Sequence, residues 1–462
     1  MKITLLGHAS ILVEIEGAIC LMDPVFSDPF EGGAVVSCPR RKVYLERLPA
    51  IDTLIISHRH PDHFDLRSLA QVTRDCDAIC PADPLIVYAL KKLGFSRVHP
   101  VHPMGEIMSQ SFELYPTRSE MKTVPEFGMV FKDRSGCFWN QVDTFLSLET
   151  IQSIAARFGR VDLLFAMYAS QNFEFFENRT TEFPYDEHRR NLENVLRINP
   201  RMVVPGSAGF AFCGDHAWLN AFLFPVSRQR FVSDLQRIEG GIQTQLMNPG
   251  DIFEIDNGRV RHFDDASDIA VMEEDDSAKL SFDPTAPIPE LNDPNPDGYS
   301  LKHLKQETEK FVREGIGSFV AQDCGKPDPL LDLYQRRGVR YEITIVFPDA
   351  QVTRYQVHFD NSGGRMADPA SSAGAPDLSH RIAASALVGW LERKKSFFYV
   401  RAYSRRFSTL HELSRSGDTV RLRPEVAPDL LMHYLLNVAP GSDVAARDQI
   451  DLEIEALHRE GY

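Results

Sequence analysis

Short runs of apolar and β-branched residues dominate the first part of the chain, and they predict strands. Residues 3–6, 10–15 and 18–22 are runs of this kind, and Glu16-Gly17 between the last two is typical of a hairpin turn. A further apolar run at 53–57 leads directly into a group of histidines. More strands are predicted at 111–115, 128–132, 137–142, 161–167 and 201–204.

Helical patterns alternate with these runs. Asp65 is placed to cap a helix over 66–73, and further helices are predicted at 84–93, 148–158 and 185–198. Short strands with interspersed helices are what a sandwich of two sheets flanked by helices requires. We therefore expect residues 1–264 to form one α+β domain.

The chain changes character after residue 264. The stretch 264–276 carries seven acidic residues, and 283–296 is rich in Pro, Asp and Asn. Such segments bury too little apolar surface to fold alone, so we predict a linker over 265–298. Residues 299–462 are expected to form a smaller C-terminal α+β domain. Its predicted helices are 301–314, 379–393 and one near 428–436, and its predicted strands are 341–347, 352–359 and 397–403.

Composition and charge narrow the class of protein. A chain of 462 residues with 43% hydrophobic and 25% charged residues is expected to be globular, and its length predicts two domains. The net charge of −15 argues against a nucleic-acid partner, which favours a basic surface. Glu14 and Glu16 interrupt any signal peptide, and no apolar run of roughly 18 residues predicts a membrane span. Seven scattered cysteines suit a reduced, cytoplasmic setting better than a disulfide framework.

A dense group of metal-ligand side chains follows the apolar run 53–57. His58, His60, Asp62 and His63 lie within six residues. A strand end that enters a tight loop can point His58 and His60 at one metal, and Asp62 and His63 at a second metal about 3.5–4 Å away. A lone histidine is usually structural, but four ligand-type residues at one strand exit predict a two-metal site.

Such a site needs ligands from elsewhere in the chain. Asp143, at the end of a predicted strand, is expected to bridge the metals, although a helix N-cap is the alternative interpretation. His216, after a strand and a Gly-rich turn, is the best late ligand of the second metal, with a surface-loop histidine as the alternative. No histidine follows the predicted strand 111–115 ahead of Asp143, so Glu120 is the expected third ligand of the first metal. Glu126 is the second choice, and a solvated loop glutamate is the simpler interpretation.

The segments around this motif look like the metallo-β-lactamase superfamily. The resemblance lies in residues 7–10 (GHAS), 21–27 (LMDPVFS), 48–52 (LPAID) and 57–63 (SHRHPDH). Within the superfamily they resemble the branch that contains N-acylphosphatidylethanolamine phospholipase D and the L-ascorbate-6-phosphate lactonases. The resemblance implies an αββα sandwich over residues 1–262.

Other segments resemble narrower relatives. Residues 119–121, 140–143 and 199–210 resemble the metallo-β-lactamase part of CMP-N-acetylneuraminate hydroxylase. The paired Cys-x-His and Cys-x2-His pattern of that family's Rieske domain is not in the sequence, so its sialic acid reaction is not expected here. A glutamate in place of the usual third histidine is also similar to the diiron β-hydroxylase of chloramphenicol biosynthesis.

The C-terminal half has a weaker resemblance of its own. Residues 377–382, 389–391 and 397–400 resemble the sterol-carrier-protein-like domains appended to some alkyl sulfatases. This resemblance implies a groove for a lipid or acyl chain. A dimerisation domain, which would make a homodimer, or a substrate-covering domain is the favoured alternative.

Further residues are candidates to support the ligands or to contact substrate. Asp23 is expected to hydrogen-bond a ligating imidazole, and the resemblance implies that His8 lies near the metals. Arg118 can meet an anionic substrate, although an exposed arginine is the simpler interpretation. Three residues after the predicted strand 161–167 can face the pocket, with a plain surface loop as the alternative: Tyr168, Gln171 and Asn172.

Two functions of different classes remain open. The favoured hypothesis is a diiron oxygenase that oxidises a polar small molecule and needs O2 and an external electron donor, such as a partner protein. It is favoured because an anionic oxygen ligand prefers iron to zinc. The alternative is a Zn or Mn hydrolase of a phosphoester or lactone, with Asp62 as the catalytic general base. In both, the expected ligands are His58, His60 and Glu120 for one metal, Asp62, His63 and His216 for the other, and Asp143 as the bridge.

Overall fold

The computed structural model describes most of the chain as two compact units. The first unit consists of Met1–Gln171, Phe183–Asp283 and Asp443–Tyr462, and the second lies within Pro284–Ser442. The described residues are 1–121, 124–171, 183–207, 209–238, 240–277, 280–321, 328–360, 362–367, 375–395, 397–408, 411–416, 419–424, 429–438 and 443–462.

Two large sheets form the first unit. Its strands in chain order are β1 (Lys2–Gly7), β2 (Ser10–Ile15), β3 (Ala18–Met22), β4 (Val35–Ser37), β5 (Arg40–Val43), β6 (Thr53–Ile55), β7 (Asp77–Pro81), β8 (Arg97–Val101), β9 (Ile107–Met108), β10 (Glu113–Arg118), β11 (Phe127–Lys132), β12 (Cys137–Asn140), β13 (Leu163–Met167), β14 (Met202–Gly206), β15 (Phe210–Phe212), β16 (Gln243–Thr244), β17 (Ile252–Asp256), β18 (Arg259–Phe263) and β19 (Ala270–Glu274). The eight-stranded sheet has the order β18-β17-β1-β2-β3-β6-β7-β8, and the seven-stranded sheet has the order β16-β14-β13-β12-β11-β10-β9.

Helices cover the outer faces of these sheets. In chain order they are α1 (Leu66–Leu69), α2 (Pro84–Lys92), α3 (Leu148–Phe158), α4 (Tyr185–Ile198), α5 (Asn220–Leu223) and α6 (Arg228–Ile238), with short 3-10 helices at Glu31–Gly33, Leu45–Arg47 and Gly214–Leu219. The helices of the second unit are α7 (Leu301–Lys310), α8 (Gly317–Val320), α9 (Pro329–Arg337), α10 (Ala384–Leu391), α11 (Phe397–Ala402) and α12 (Leu430–His433), with π-helices at Phe311–Ile316 and Tyr434–Val438. The last helix, α13 (Asp443–Glu460), belongs to the first unit.

The apolar side chains of the first unit follow the alternation of its strands. Along β2, Ile11 and Val13 pack in the core shared with the seven-stranded sheet, whereas Leu12 packs in the core beneath α1, α2 and α13. Residues of a strand alternate between faces, so one strand serves both layers. On the other side, α3, α4 and α6 pack on Trp139 and Leu164. The layers are therefore helix, sheet, sheet and helix, which confirms the expected αββα sandwich.

Local signals in the sequence account for several elements of this unit. Glu16 and Gly17 both have positive φ (47° and 83°), which is the backbone of a tight hairpin turn between β2 and β3. The Asp65 carboxylate accepts the backbone N–H of Ser68 and caps α1. α1 itself ends at Leu69, earlier than the expected 73.

The observed units do not coincide with the expected boundaries at 264 and 298. Residues 265–283 belong to the first unit, because β19 pairs antiparallel with β5 and buries Ala270. The acidic stretch thus gains a partner strand that its own composition does not predict. The first unit also includes α13, whose Ile450, Ile454 and Leu457 pack in the core with α2.

No helix within the described part of the chain is long and apolar enough to cross a membrane. The second unit is built on a five-stranded sheet. Its strands are β20 (Arg340–Val346), β21 (Val352–Asp360), β22 (Gly363–Ala367), β23 (Leu378–Ala383) and β24 (Ser404–Ser408), in the order β22-β21-β20-β23-β24, with a separate pair β25 (His411–Ser416) and β26 (Thr419–Pro424).

Two expectations for this unit are corrected. The predicted helix 379–393 begins as strand β23, which pairs with β20 and β24 and alternates buried and half-buried residues, and the helix starts only at Ala384. The predicted strand 397–403 is helix α11. Its aromatic residues favour strands, but packing decides their conformation, and Tyr399 and Val400 are buried.

Candidate metal centre

Parallel pairing of two strands brings the key loops together. β3 and β6 are parallel, with Met22 opposite Ile55, so both chains leave the sheet at the same edge. The backbone N–H of Asp23 donates to the carbonyl of Ile55 (2.9 Å). Asp23 therefore lies beside the segment that begins at Ser57 and carries the histidines.

The carboxylate of Asp23 orients two imidazoles. It accepts the Ser57 backbone N–H (2.7 Å), the Ser57 hydroxyl (2.6 Å) and the Nδ1 atom of His63 (3.0 Å). Because the Ser57 hydroxyl donates to Asp23, its oxygen is free to accept from Nδ1 of His58 at 2.9 Å. Both rings thus carry their proton on Nδ1, and the lone pair of each Nε2 is available to a metal. The expected role of Asp23 is consistent with this geometry.

The two Nε2 atoms converge on Asp143. The Oδ2 atom of Asp143 is 3.2 Å from Nε2 of His63 and 4.0 Å from Nε2 of His58. Ligand atoms of these three residues lie within 4.8 Å of one another. Both Nε2 atoms are buried and lack a hydrogen-bond partner within the described residues. Buried polar atoms without partners are costly, and a bound cation would satisfy them, so this donor set fits a metal ion.

A second group overlaps the first at His63. The Oδ2 atom of Asp62 is 3.7 Å from Nε2 of His63 and 3.2 Å from Nε2 of His8. Ligand atoms of these three residues again lie within 4.8 Å of one another. His60 lies beside the first group, with its ring centroid 4.5 Å from that of His58. The structure thus brings together all four residues of the sequence motif, with Asp143 and His8.

The carboxylates and imidazoles of this cluster shift one another's pKa values. Burial alone would raise the pKa of Asp143, but His63 and His58 lower it to about 2. Burial and two neighbouring imidazoles hold the pKa of His58 well below its ordinary value. Burial opposes the charged form of His63 as well, yet Asp143 and Asp62 raise its pKa. Arg59, the cation inside the motif, pairs instead with Asp83 at 3.4 Å.

The structure places the two candidate glutamates differently. Glu120 is exposed, and its backbone N–H donates to the carbonyl of Phe145 (2.8 Å). Glu126 is only 6% exposed, and the Ser119 hydroxyl donates to its carboxylate. Burial, with a contribution from Asp143, raises the pKa of Glu126 to about 7. Glu126, the second choice from the sequence, is therefore the buried glutamate whose charge interacts with Asp143, whereas Glu120, the first choice, is exposed.

His216 is not brought into either metal-binding group of the described residues. It is buried in the 3-10 helix Gly214–Leu219, and its backbone N–H donates to the carbonyl of Cys213 (3.1 Å). Burial lowers its pKa, and the adjacent Asp215 opposes that shift. The role of His216 as a ligand therefore stays a prediction.

The remaining candidates are scattered. Arg118 is exposed and lies 3.9 Å from Glu149, as a surface arginine does. Tyr168 is buried after β13, and burial raises its pKa to about 12. Gln171 is half-buried, and Asn172 lies outside the described residues. The sequence analysis did not identify Ser57, whose hydroxyl contacts Nδ1 of His58. Its position directly before His58 could have indicated this contact.

A third group of potential ligands lies where β17 begins and β18 ends, away from these loops in sequence. It consists of Asp251, His262 and Asp264. The Asp251 carboxylate already accepts the backbone N–H groups of Asn248 and Asp265, both at 2.8 Å. This group therefore has a structural role in holding the turn.

Comparison with known proteins covers part of the first unit. The profile of the beta-lactamase superfamily domain matches residues 2–171. An uncharacterised protein of Mycobacterium tuberculosis is 41% identical over 70 residues, which are 14% of this chain and 18% of the relative. The N-acyl-phosphatidylethanolamine-hydrolyzing phospholipase D 1 of Caenorhabditis elegans is 39% identical over 75 residues, which are 15% of this chain and 20% of the relative. The chain thus matches no more than a fifth of the length of these relatives.

Among solved structures, a diiron beta-hydroxylase from Streptomyces venezuelae is similar with a TM-score of 0.39 and 16% identity, over 57% of this chain and 53% of the other. The domain profile, the layer order and the grouping of His58, Asp62, His63 and Asp143 at one sheet edge agree with one another. Residues 2–171 belong to the beta-lactamase superfamily, and the first unit has the metallo-β-lactamase fold.

Proposed function

We propose that this chain is a two-metal enzyme that uses non-haem iron and O2 to oxidise a small polar molecule. The observation that carries the proposal is the donor set, in which Asp62 and Asp143 share the centre with the imidazoles of His8, His58 and His63. We propose the buried Glu126, whose pKa Asp143 helps to raise, as the carboxylate in place of a third histidine. Carboxylate oxygen favours iron, and two histidines with one carboxylate are a recurring iron-binding set in oxygenases.

The proposed ligands divide between two positions. His58, His60 and Glu126 hold the first metal, Asp62 and His63 hold the second, and Asp143 lies between them. Iron bound there would supply the electron-transfer chemistry that activates O2, with electrons from an external donor. Glu126 replaces Glu120 in this scheme because its carboxylate is buried and Asp143 helps to raise its pKa, whereas Glu120 is exposed.

The chain's own residues would orient the ligands and define the open side. Asp23 and Ser57 hold the His58 and His63 rings with Nε2 towards Asp143. The side chains of His58 and His63 are 1% and 0% exposed, whereas that of Asp143 is 34% exposed. Substrate would therefore approach from the Asp143 side. A cavity of about 30 Å³ that His8 helps to line has room for water only.

A hydrolase is the second candidate, and one comparison favours it. The relative with 39% identity over 75 residues is a phospholipase D that hydrolyses N-acyl-phosphatidylethanolamine. In that case the same residues would hold Zn or Mn, which acidifies bound water. Asp62 would orient the water as a general base for attack on a phosphoester or lactone.

Metal analysis separates the two candidates. Protein purified aerobically without added metal is expected to contain about two irons with a near-ultraviolet charge-transfer band, and to consume O2 with a chemical reductant. Two zincs with activity on bis-p-nitrophenyl phosphate would instead support the hydrolase.

A matched pair of glutamate variants tests the carboxylate directly. Glu126→His is expected to lower iron retention and O2 consumption, because it removes the anionic oxygen ligand. Glu120→His, the same change at an exposed site, is expected to leave both unchanged. Equal iron content and O2 use in Glu126→His and the wild type would exclude Glu126 as a ligand.

A further inference from the structure

The hairpin between β1 and β2 places His8 beside Asp62. Nε2 of His8 is 3.2 Å from Oδ2 of Asp62, and its ring centroid is 5.2 Å from that of His63. His8 is thus the third donor in a group whose other members, Asp62 and His63, are adjacent in the sequence. Three donors within reach of one point are what a metal position requires.

The surroundings of His8 give its ring no other partner. Its side chain is 1% exposed, and the rings of Phe210 and Phe30 lie 5.5 and 6.1 Å away. Neither ring nitrogen makes an aligned hydrogen bond to any residue that the structure describes. A buried imidazole without hydrogen bonds is unfavourable, and coordination through Nε2 would remove that penalty.

The backbone holds His8 in this position. His8 has φ 49°, in the left-handed region that most residues with a side chain avoid. Gly209 packs directly on it, because a Cβ at Gly209 would lie 3.0 Å from the Cα of His8. The fold thus keeps an unfavourable backbone conformation that directs this imidazole at Asp62. Such outliers are a basis for a functional hypothesis.

We propose that His8 is the ligand that completes the second metal position with Asp62 and His63. The inference rests on the proposed two-metal centre and deepens it. His216, which the sequence suggested for this place, is buried in the 3-10 helix Gly214–Leu219 and belongs to neither group among the described residues. The third ligand of the second ion would therefore come from the first hairpin of the chain.

Two histidines with equal burial provide a matched test. As whole residues, His8 and His216 are each 6% exposed, and asparagine tolerates the left-handed backbone at position 8. Metal-free wild type, His8→Asn and His216→Asn are titrated with Co²⁺, and bound ions are counted by mass spectrometry after gel filtration. The wild type and His216→Asn are expected to bind two ions alike. His8→Asn is expected to bind one ion normally and the second ion with an affinity at least about 100-fold lower. Loss of a residue that only supports a ligand typically lowers metal affinity about 10- to 100-fold, and loss of a ligand should cost at least as much.

Visible absorption of the Co²⁺ forms gives a second readout that does not depend on activity. The band that appears with the second equivalent in the wild type should be missing in His8→Asn and present in His216→Asn. Two tightly bound ions in His8→Asn would overturn the assignment, as would loss of the second ion in His216→Asn alone. A wild type that binds no Co²⁺ overturns the proposed function as well, whereas two ions bound normally in His8→Asn leave that function intact. Circular dichroism of the metal-free variants establishes that each is folded, and His8→Gln serves in the same comparison if His8→Asn is not.

Discussion

Two buried groups of carboxylate and imidazole, one in each unit, differ in how their charges are balanced. In the second unit, Asp429 lies 3.1 Å from Nδ1 of His380 and 3.2 Å from Nε of Arg406, and it accepts the Tyr341 hydroxyl at 3.0 Å. We call these four residues the Asp429 network. Asp429 also accepts the backbone N–H of Met432 and so caps α12.

The metal centre has similar residue types but a different balance. Asp23, Asp62 and Asp143 contact its histidines, while Arg59, the arginine within the motif, pairs with Asp83. The Asp429 network contains its own permanent cation, Arg406. A buried carboxylate matched by a guanidinium needs no further charge, whereas the two carboxylates that converge on His63, Asp62 and Asp143, favour a bound cation. The balance of buried charges, not the residue types, therefore distinguishes this structural network from the metal site.

The largest expected effect breaks the network in the second unit. Asp429→Ala leaves Arg406 buried without its carboxylate and removes the cap of α12. The expected loss is about 3–5 kcal/mol in the free energy of unfolding. Metal content should equal that of the wild type, because the metal-binding residues lie in the first unit.

Urea unfolding of the full chain measures the first of these quantities, and metal analysis of the same preparation measures the second. Asp143→Ala is the counterpart in the first unit, and it should reverse the pattern by losing metal. If Asp429→Ala lost metal while unfolding at the wild-type urea concentration, the contrast between the two groups would be mistaken.

Acid should weaken the Asp429 network by a somewhat smaller amount. Burial alone would raise the pKa of Asp429, but His380 and Arg406 lower it to about 2. Because the folded-state pKa is below the unfolded value near 3.9, the carboxylate stabilises the fold above that value. This contribution, roughly 2–3 kcal/mol, is lost as the pH falls from about 4 to about 2.

Hydrogen exchange of peptides from β20 and β23, measured between pH 5 and 2 after correction for intrinsic rates, follows this loss within the second unit. Asp429→Asn serves as the control, since its exchange should lack the component that comes from titration of residue 429. A wild type and a variant with the same pH dependence would contradict the assignment.

Local signals made much of this fold predictable, and long-range packing accounts for the rest. The helices at Leu148–Phe158 and Tyr185–Ile198 have the predicted bounds, because their periodicity and flanking residues lie in one segment. The local pattern predicts a helix where β23 forms, because the strand depends on pairing with β20 and β24. The sequence could not show that pairing.

The same division holds at the metal centre. The motif from His58 to His63 was evident because its ligands are adjacent, and the structure brings Asp143 to them. His8 lies near Asp62 only because the hairpin between β1 and β2 packs beside the loop that follows β6. The difference between Glu120 and Glu126 depends on which side of a short loop is buried. Neither is encoded in local spacing.

The smallest expected effect tests the residue that orients the metal-binding rings. In Asp23→Asn, one side-chain oxygen can still accept the Ser57 backbone N–H, but the amide NH2 cannot accept from Nδ1 of His63 and the Ser57 hydroxyl. The ring of His63 then loses the partner that keeps its proton on Nδ1 and its Nε2 available. Removal of such a partner typically costs about 10- to 100-fold in metal affinity.

Competition of wild type and Asp23→Asn with a coloured chelator for Co²⁺ measures this change. Asp52→Asn is the matched control, because Asp52 also accepts a backbone N–H, that of Ile19 at 2.8 Å, but is exposed and touches no metal-binding residue in the contacts described. Asp52→Asn should bind Co²⁺ as the wild type does. If Asp23→Asn also did so, the orientation of the two imidazoles would not depend on the buried carboxylate. The metal centre would then resemble the Asp429 network, as a group whose charges are balanced without an ion.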